Sequence, residues 1–297
     1  MVSTGIGTNT IYPDIDLSIH KLAEFGYTHV YFDGTVFGVP EEQLVRILQV
    51  CAQTGILPFA AHAPGQFLPH NAGGLERTIA RHKVTLDKAA MLHCKSVTFH
   101  VASVESVRNE ETSAFIEQVG KQAFDEMNWH TLRELALHAQ SHGMSIAVEN
   151  LSRDIVGNYC RTVNDLKRII DGAGQPNVGI CIDTGHANIS GLKAAEMILE
   201  AGDLLIETHF NDNFGWLCPE NAVNDLHRPP GVGTVDWLRV MEALDRIAYE
   251  GPIIFELAVK GDFYALDDLL RTTYSNWRMI TRAWQYVKAG LPELDPI

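Results

Sequence analysis

Three things are missing from this 297-residue chain: a long apolar run, a pairing pattern among its cysteines, and a surplus of basic charge. A membrane-spanning helix needs about 20 consecutive apolar residues. No stretch approaches that, so neither a transmembrane helix nor a membrane partner is expected. The first residues, MVSTGIGTNT, lack the basic segment and apolar core of a secretory signal. The 5 cysteines are Cys51, Cys94, Cys160, Cys181 and Cys218. An odd number, wide spacing and no CxxC pair fit reduced thiols in a cytoplasmic protein, with Cys181 in a strand core. Lys and Arg number 23 against 37 Asp and Glu, a net charge of −14 with histidine neutral. That balance opposes non-specific attraction to nucleic acid or an anionic membrane, so neither is an expected partner, although a local basic groove is compatible with it.

What is present suits an ordinary globular protein: 46% hydrophobic and 20% charged residues, enough for a sizeable core. Short β-branched or aromatic runs recur at 27–33, 56–62, 94–100, 144–150, 177–183, 204–210 and 251–257, with a weaker one at 2–9. Helical periodicity fills the gaps. EEQLVRILQVCAQTG places Leu44, Ile47, Leu48 and Cys51 on one stripe and stops at Gly55; WHTLRELALHAQSHG places Leu132, Leu135 and Ala139 likewise and stops at Gly143. A glycine just past the last apolar position suits a left-handed helix end. Eight strands, each followed by a helix, predict a single (β/α)8 TIM barrel, one domain over residues 1–297. A doubly wound open sheet is the alternative with the same alternation. The segment 103–143 is longer than one helix requires and is expected to hold a loop and an extra helical turn. RMITRAWQYV, 278–287, offers an aromatic face to the barrel or to a second copy of the chain, and a homo-oligomer is one expectation.

The strands end alike. From the third to the eighth, they finish at His62, His100, Glu149, Asp183, His209 and Glu256. In a barrel these ends converge on one face. One such residue alone usually caps a helix or anchors a loop. Six together need something to neutralise packed carboxylates and imidazoles, and a divalent cation does this. Mixed His, Asp and Glu ligation suits Zn2+, Mn2+, Co2+ or Fe2+ more than Ca2+. The loop after the seventh strand, NDNFGWLCPENAVNDLHRPPGVG (211–233), has no periodicity and carries Asp225, His227 and Arg228. With His186 these could form a further metal or substrate site, or they could be exposed loop residues. Gly231 and Gly233 then allow a tight return, with Thr234 as a helix N-cap. His82, His93, His130, His138 and His142 fall in helical segments and read as surface or packing residues.

The whole chain resembles the xylose isomerase-like TIM-barrel superfamily, and within it the sugar phosphate isomerase/epimerase-type members, through DTGHAN (183–188), HFNDN (209–213) and DLHRPPGVGTVDW (225–237). The superfamily also includes the endonuclease IV class of abasic-site nucleases. The resemblance implies one metal held by Glu149, Asp183, His209 and Glu256, with Glu149 and Glu256 also exchanging protons with a substrate carbon. It implies that His186 contacts a substrate oxygen. In the endonuclease IV class three zinc ions are bound, and His62, His100, His186, Asp225 and His227 match the added ligands. The chain departs from that class after His62, where APGQFLPHN lacks the aromatic loop inserted into DNA, and few Arg or Lys residues sit in the strand-end loops.

Two functions therefore stand open. One is a sugar or sugar-phosphate isomerase or epimerase using Mn2+, Zn2+, Co2+ or Mg2+, one cation with room for up to three, and working through an enediolate on a small carbohydrate-like substrate. The other is a trinuclear-zinc phosphodiesterase. A metal-dependent sugar lyase or dehydratase would begin with the same proton abstraction.

Overall fold

Every apolar run read as a strand forms one. The computed structural model describes residues 5–64, 74–101, 109–152, 159–215, 225–258 and 265–290; Cys218 lies outside them. The strands are β1 Ile6–Asn9, β2 His29–Phe32, β3 Leu57–His62, β4 Ser96–Phe99, β5 Ser145–Glu149, β6 Val178–Asp183, β7 Leu205–His209 and β8 Ile253–Phe255. They pair in parallel in the order β7-β6-β5-β4-β3-β2-β1-β8. The two edges then meet. Phe210 bridges to Phe255 in parallel, and its backbone N–H donates to the Ile254 carbonyl at 2.8 Å. Closure excludes the doubly wound open sheet and gives the (β/α)8 barrel. β4 and β6 are buried at every position, as expected where helices cover one face and side chains fill the other.

The helices read from the sequence form for the predicted reasons. α1 spans Ile15–Glu24 and α2 spans Glu41–Thr54, with Leu44, Ile47, Val50 and Cys51 buried and Gly55 ending α2 at φ 74. α3 spans Leu75–Met91. Segment 103–143 holds more helix than expected: α4, Asn109–Val119, is followed at once by α5, Lys121–Ser141. Gly120, at φ 84 and ψ 144, breaks the two apart, a conformation a side chain disfavours. α6 spans Val163–Ala173, α7 Thr184–Ile189, α8 Ala194–Ala201, α9 Trp237–Arg246 and α10 Leu266–Lys288. α10 packs Leu269, Leu270, Thr273 and Trp277 inward, where the Trp277 ring meets Phe210, Trp237 and Phe255 edge-on or tilted. Trp284 and Ile280 pack partly against the core, while Met279, Tyr286 and Val287 are exposed.

The return of the loop after β7 hangs on one buried carboxylate. Asp212 accepts hydrogen bonds from the backbone N–H groups of Asn213, Gly231 and Val235, and from Trp237 Nε1 at 2.8 Å. A Cβ on Gly233 would lie 2.1 Å from the Asn213 carbonyl and 2.2 Å from Asp212 Oδ1, so only glycine fits there. Thr234 does not cap α9. It donates to the Asn213 carbonyl instead, and Asp236, two residues on, caps the helix by accepting from Arg239 N–H. Thr234 is not the N-cap because the buried Asp212 holds Gly231 to Val235 as a turn. Asp212→Ala strands several buried donors, and at about 1–3 kcal/mol per unsatisfied group it should cost about 3 kcal/mol of unfolding free energy. Urea unfolding reads this; a loss under about 0.5 kcal/mol, the range of an ordinary surface change, contradicts the anchoring role.

Candidate metal centre

All six strand-end residues sit at strand ends on one face of the barrel. His62, Glu149, Asp183 and His209 are the last residues of β3, β5, β6 and β7, and His100 and Glu256 follow β4 and β8 directly. One ligand atom each from Glu149, Asp183, His209 and Glu256 lies within 4.8 Å of all the others. His62, His100 and Glu149 form a second such group, and His186, Asp225 and His227 a third. The loop histidine and aspartate thus turn into the site. His227 takes φ 44 to do so, a left-handed backbone that a non-glycine residue adopts only when its surroundings impose it. Arg228 lays its guanidinium 4.9 Å above the Phe214 ring and is not in any of the three groups.

Glu149 is the hub. It is fully buried. Its Oε2 lies 3.0 Å from His100 Nε2 and 3.6 Å from His62 Nε2; its Oε1 lies 3.2 Å from His186 Nδ1 and 3.4 Å from His209 Nδ1. His209 Nδ1 is also 3.3 Å from Glu256 Oε2. Glu149 Oε1, His209 Nδ1 and Glu256 Oε2 are buried and find no hydrogen-bond partner in the protein. Each such atom costs about 1–3 kcal/mol unless something satisfies it. Three converging from different strands fit a shared cation.

The tautomers agree. A carbonyl oxygen only accepts, so the ring nitrogen facing it carries the hydrogen. His62 Nδ1 faces the Ala63 carbonyl at 2.8 Å, His186 Nδ1 the Asn150 carbonyl at 2.9 Å, and His227 Nδ1 the Glu256 carbonyl at 3.1 Å. Each ring then presents Nε2, the nitrogen that faces its cluster: His62 towards His100 at 3.0 Å, His227 towards Asp225 at 2.9 Å and His186 towards Asp225 at 3.7 Å. His209 is turned the other way. Its Nε2 lies 3.2 Å from Glu207 Oε1, leaving Nδ1 for the cluster. Outer hydrogen bonds of this kind fix ring orientation at metal sites.

Glu207 was not foreseen from the sequence. It is fully buried and also accepts from Ser96 Oγ at 2.6 Å and Thr98 Oγ1 at 2.7 Å. The signal was present: alternation along a strand puts residues two apart on one face, and Glu207 precedes His209 by two. Tyr31 was also missed. It is buried on β2, its ring 4.7 Å from that of His209, and an aromatic in a strand carries no functional signature.

The charges interlock. Burial would raise the Glu149 carboxyl, but His209 holds it well below the usual carboxylate range. Glu256 is lowered too, with His209 and His227 opposing burial. For Asp183 burial wins over His186 and His227 and lifts the carboxyl to about 6. Burial would lower the imidazoles, yet Asp183 and Glu149 hold His186 well above the histidine range, and Glu256 and Asp225 raise His227 to about 9. At pH 7 His227 therefore carries a proton that a cation must displace. Zn2+ binding at pH 7 should release about one proton or more per chain, measured calorimetrically in two buffers of different ionisation enthalpy; heats independent of the buffer contradict this. Asp183→Ala or His209→Ala should reduce the metal retained after dialysis, and elemental analysis showing unchanged content would remove those residues from the centre.

A family model described as Xylose isomerase-like TIM barrel matches residues 19–275. An uncharacterized protein of Sinorhizobium fredii is 27% identical over 218 residues, covering 73% of this chain and 64% of its own length. A D-psicose 3-epimerase of Enterocloster bolteae is 24% identical over 218 residues, covering 73% of this chain and 66% of the epimerase. The crystal structure of a D-psicose 3-epimerase in the presence of D-fructose superimposes with a TM-score of 0.78 at 19% identity, over 95% of this chain and 99% of that one. At that identity the superposition carries the fold alone.

Proposed function

Because the chain belongs to the xylose isomerase-like TIM-barrel family, we propose that it is a cytoplasmic, divalent-metal-dependent isomerase or epimerase of a sugar or sugar phosphate, acting as one barrel domain. The observation that carries this reading is the convergence of two carboxylates, Glu149 on β5 and Glu256 after β8, on His209 Nδ1 at 3.4 and 3.3 Å. A sugar epimerase among the curated relatives supports it. No helix among the described residues is long and apolar enough to cross a membrane.

The family resemblance implies the roles, and the geometry is compatible with them. Glu149 and Glu256 approach the mouth from different strands, so a substrate carbon between them would meet one carboxylate on each side. One takes the proton from the carbon beside the carbonyl, and the electron pair moves into an enediolate. A proton taken up from solvent then returns to the opposite face through the other carboxyl, and that carbon is inverted. A bound divalent cation would supply positive charge to the developing oxyanion. Asp183 and His209 complete the set of residues that would hold it, and Glu207 keeps His209 Nδ1 turned towards it. The resemblance implies that His186, buried beside Glu149, contacts a substrate oxygen.

The chemistry predicts exchange with solvent. In D2O, a panel of ketoses and ketose phosphates should include one that gains deuterium beside its carbonyl. Glu256→Gln keeps an oxygen ligand but removes the base, and should lower exchange about 10²–10⁴-fold while metal is retained. A panel without deuterium uptake by the metal-loaded protein contradicts the reading. A second reading rests on a separate observation, the groups His62, His100, Glu149 and His186, Asp225, His227 flanking the first. They would allow up to three cations and hydrolysis of a phosphodiester. Metal-dependent nicking of an abasic duplex, with three zinc ions per chain and no exchange at carbon, would favour that reading.

A further inference from the structure

His138 and His142 read from the sequence as surface or packing residues of a helix, yet they share a target. Both aim Nε2 at one oxygen, Asp87 Oδ1, at 2.7 and 2.8 Å. The histidines stand four apart at the end of α5, so they occupy one helix face, and Asp87 comes from the last turn and a half of α3. Their rings are 5.3 Å apart at 70°. The three ligand atoms lie within 4.8 Å of one another. The geometry points to a second, surface cation site of Asp87, His138 and His142, taking Zn2+ or a neighbouring late transition ion and clamping α3 to α5.

Several features suit a ligand set better than a plain ion pair. Lys88, beside Asp87 in sequence, donates to the Phe37 and Val39 carbonyls, and Lys83, one turn before Asp87, is engaged by Glu134 at 2.9 Å. Neither therefore competes for Asp87. Partial burial would raise the Asp87 carboxyl, and hydrogen bonds from His138 and His142 outweigh that and lower it, so it is an anionic ligand at neutral pH. The side chains are 27%, 33% and 49% exposed, which leaves water to complete a tetrahedron. With Zn–N and Zn–O bonds of about 2.0–2.1 Å, tetrahedral ligand atoms sit roughly 3.3 Å apart. The present contacts need to open by only about half an ångström, a side-chain adjustment at an exposed helix end. Two imidazoles and a carboxylate with a water position favour Zn2+, Cu2+ or Ni2+ over Mg2+ or Ca2+. Helices of a barrel run back from the catalytic face, so a site near the ends of α3 and α5 lies towards the opposite face. It is independent of the centre around Glu149.

Two measurements separate it from that centre. Untagged full-length protein should be retained on an immobilised Ni2+ column through this histidine pair. His138→Gln and His142→Gln should each elute earlier. Equilibrium dialysis against Zn2+ should then give about one equivalent less per chain for Asp87→Asn and His142→Gln than for the unmodified protein, with circular dichroism unchanged. Variants that elute with the unmodified protein, or that bind the same number of zinc equivalents, overturn the site and leave two imidazoles sharing a carboxylate.

Discussion

Burial of the Glu149 carboxylate is the constraint around which the mouth of this barrel is organised. An ionised carboxylate withdrawn from water costs several kcal/mol unless it is paired and hydrogen-bonded. Here four imidazoles surround it, from the ends of β3, β4 and β7 and from α7 after β6. No two neighbours in sequence supply them. The arrangement therefore exists only once the sheet has closed, and its cost is carried by the apolar core beneath. Imidazoles alone do not satisfy it, since one oxygen of Glu149 and one of Glu256 remain without hydrogen bonds. That residue of unsatisfied, anionic, converging atoms is what makes the site a ligand set rather than a salt-bridged plug.

A second layer fixes the first. Asn150 brackets Asp183, its amide donating to the Asp183 carbonyl and its oxygen accepting from the Asp183 N–H, and so ties the ends of β5 and β6. Asp183 itself both caps α7, accepting from His186 N–H at 2.6 Å, and accepts from Asn211 Nδ2 at 2.7 Å. This explains the shape of DTGHAN and HFNDN as local motifs. The cap delivers His186 to the centre, and Gly185 leaves room for Asn211, whose side-chain oxygen would be 1.9 Å from a Cβ there. Asn213 then holds the Gly185 carbonyl and Asn188 at 3.0 and 2.9 Å. The spacing in both motifs is a packing requirement imposed by two strand ends and one short helix, with chemistry riding on it.

Glu149 and Glu256 are pulled down and His186 and His227 pushed up by their neighbours, while burial lifts Asp183 and lowers His100. Each group's ionisation depends on its neighbours, so a cation entering the cluster changes all of them together.

Much of this was legible in the residues. Local period and punctuation set the strands and most helices, because burial on both faces demands short apolar runs and amphipathic helices demand a spacing of three and four. The polar residues closing six of those runs marked the ring, since alternation in a barrel fixes which face a strand end reaches. The rest needed the folded chain. Whether Asp225 and His227 faced inward depended on Asp212 gripping the loop return, a contact between residues up to 25 apart that no spacing rule encodes. The split of segment 103–143 into two helices turned on a single left-handed glycine. Glu207 became an orienting group only because β4 supplies two hydroxyls from 109 and 111 residues away. Asp87, His138 and His142 met because α3 and α5 lie side by side, 51 and 55 residues apart in sequence. Sequence determines what each strand end and helix face offers. Only closure of the sheet decides which offers meet, because a contact between distant residues is set by the packing of whole elements and not by the residues that make it.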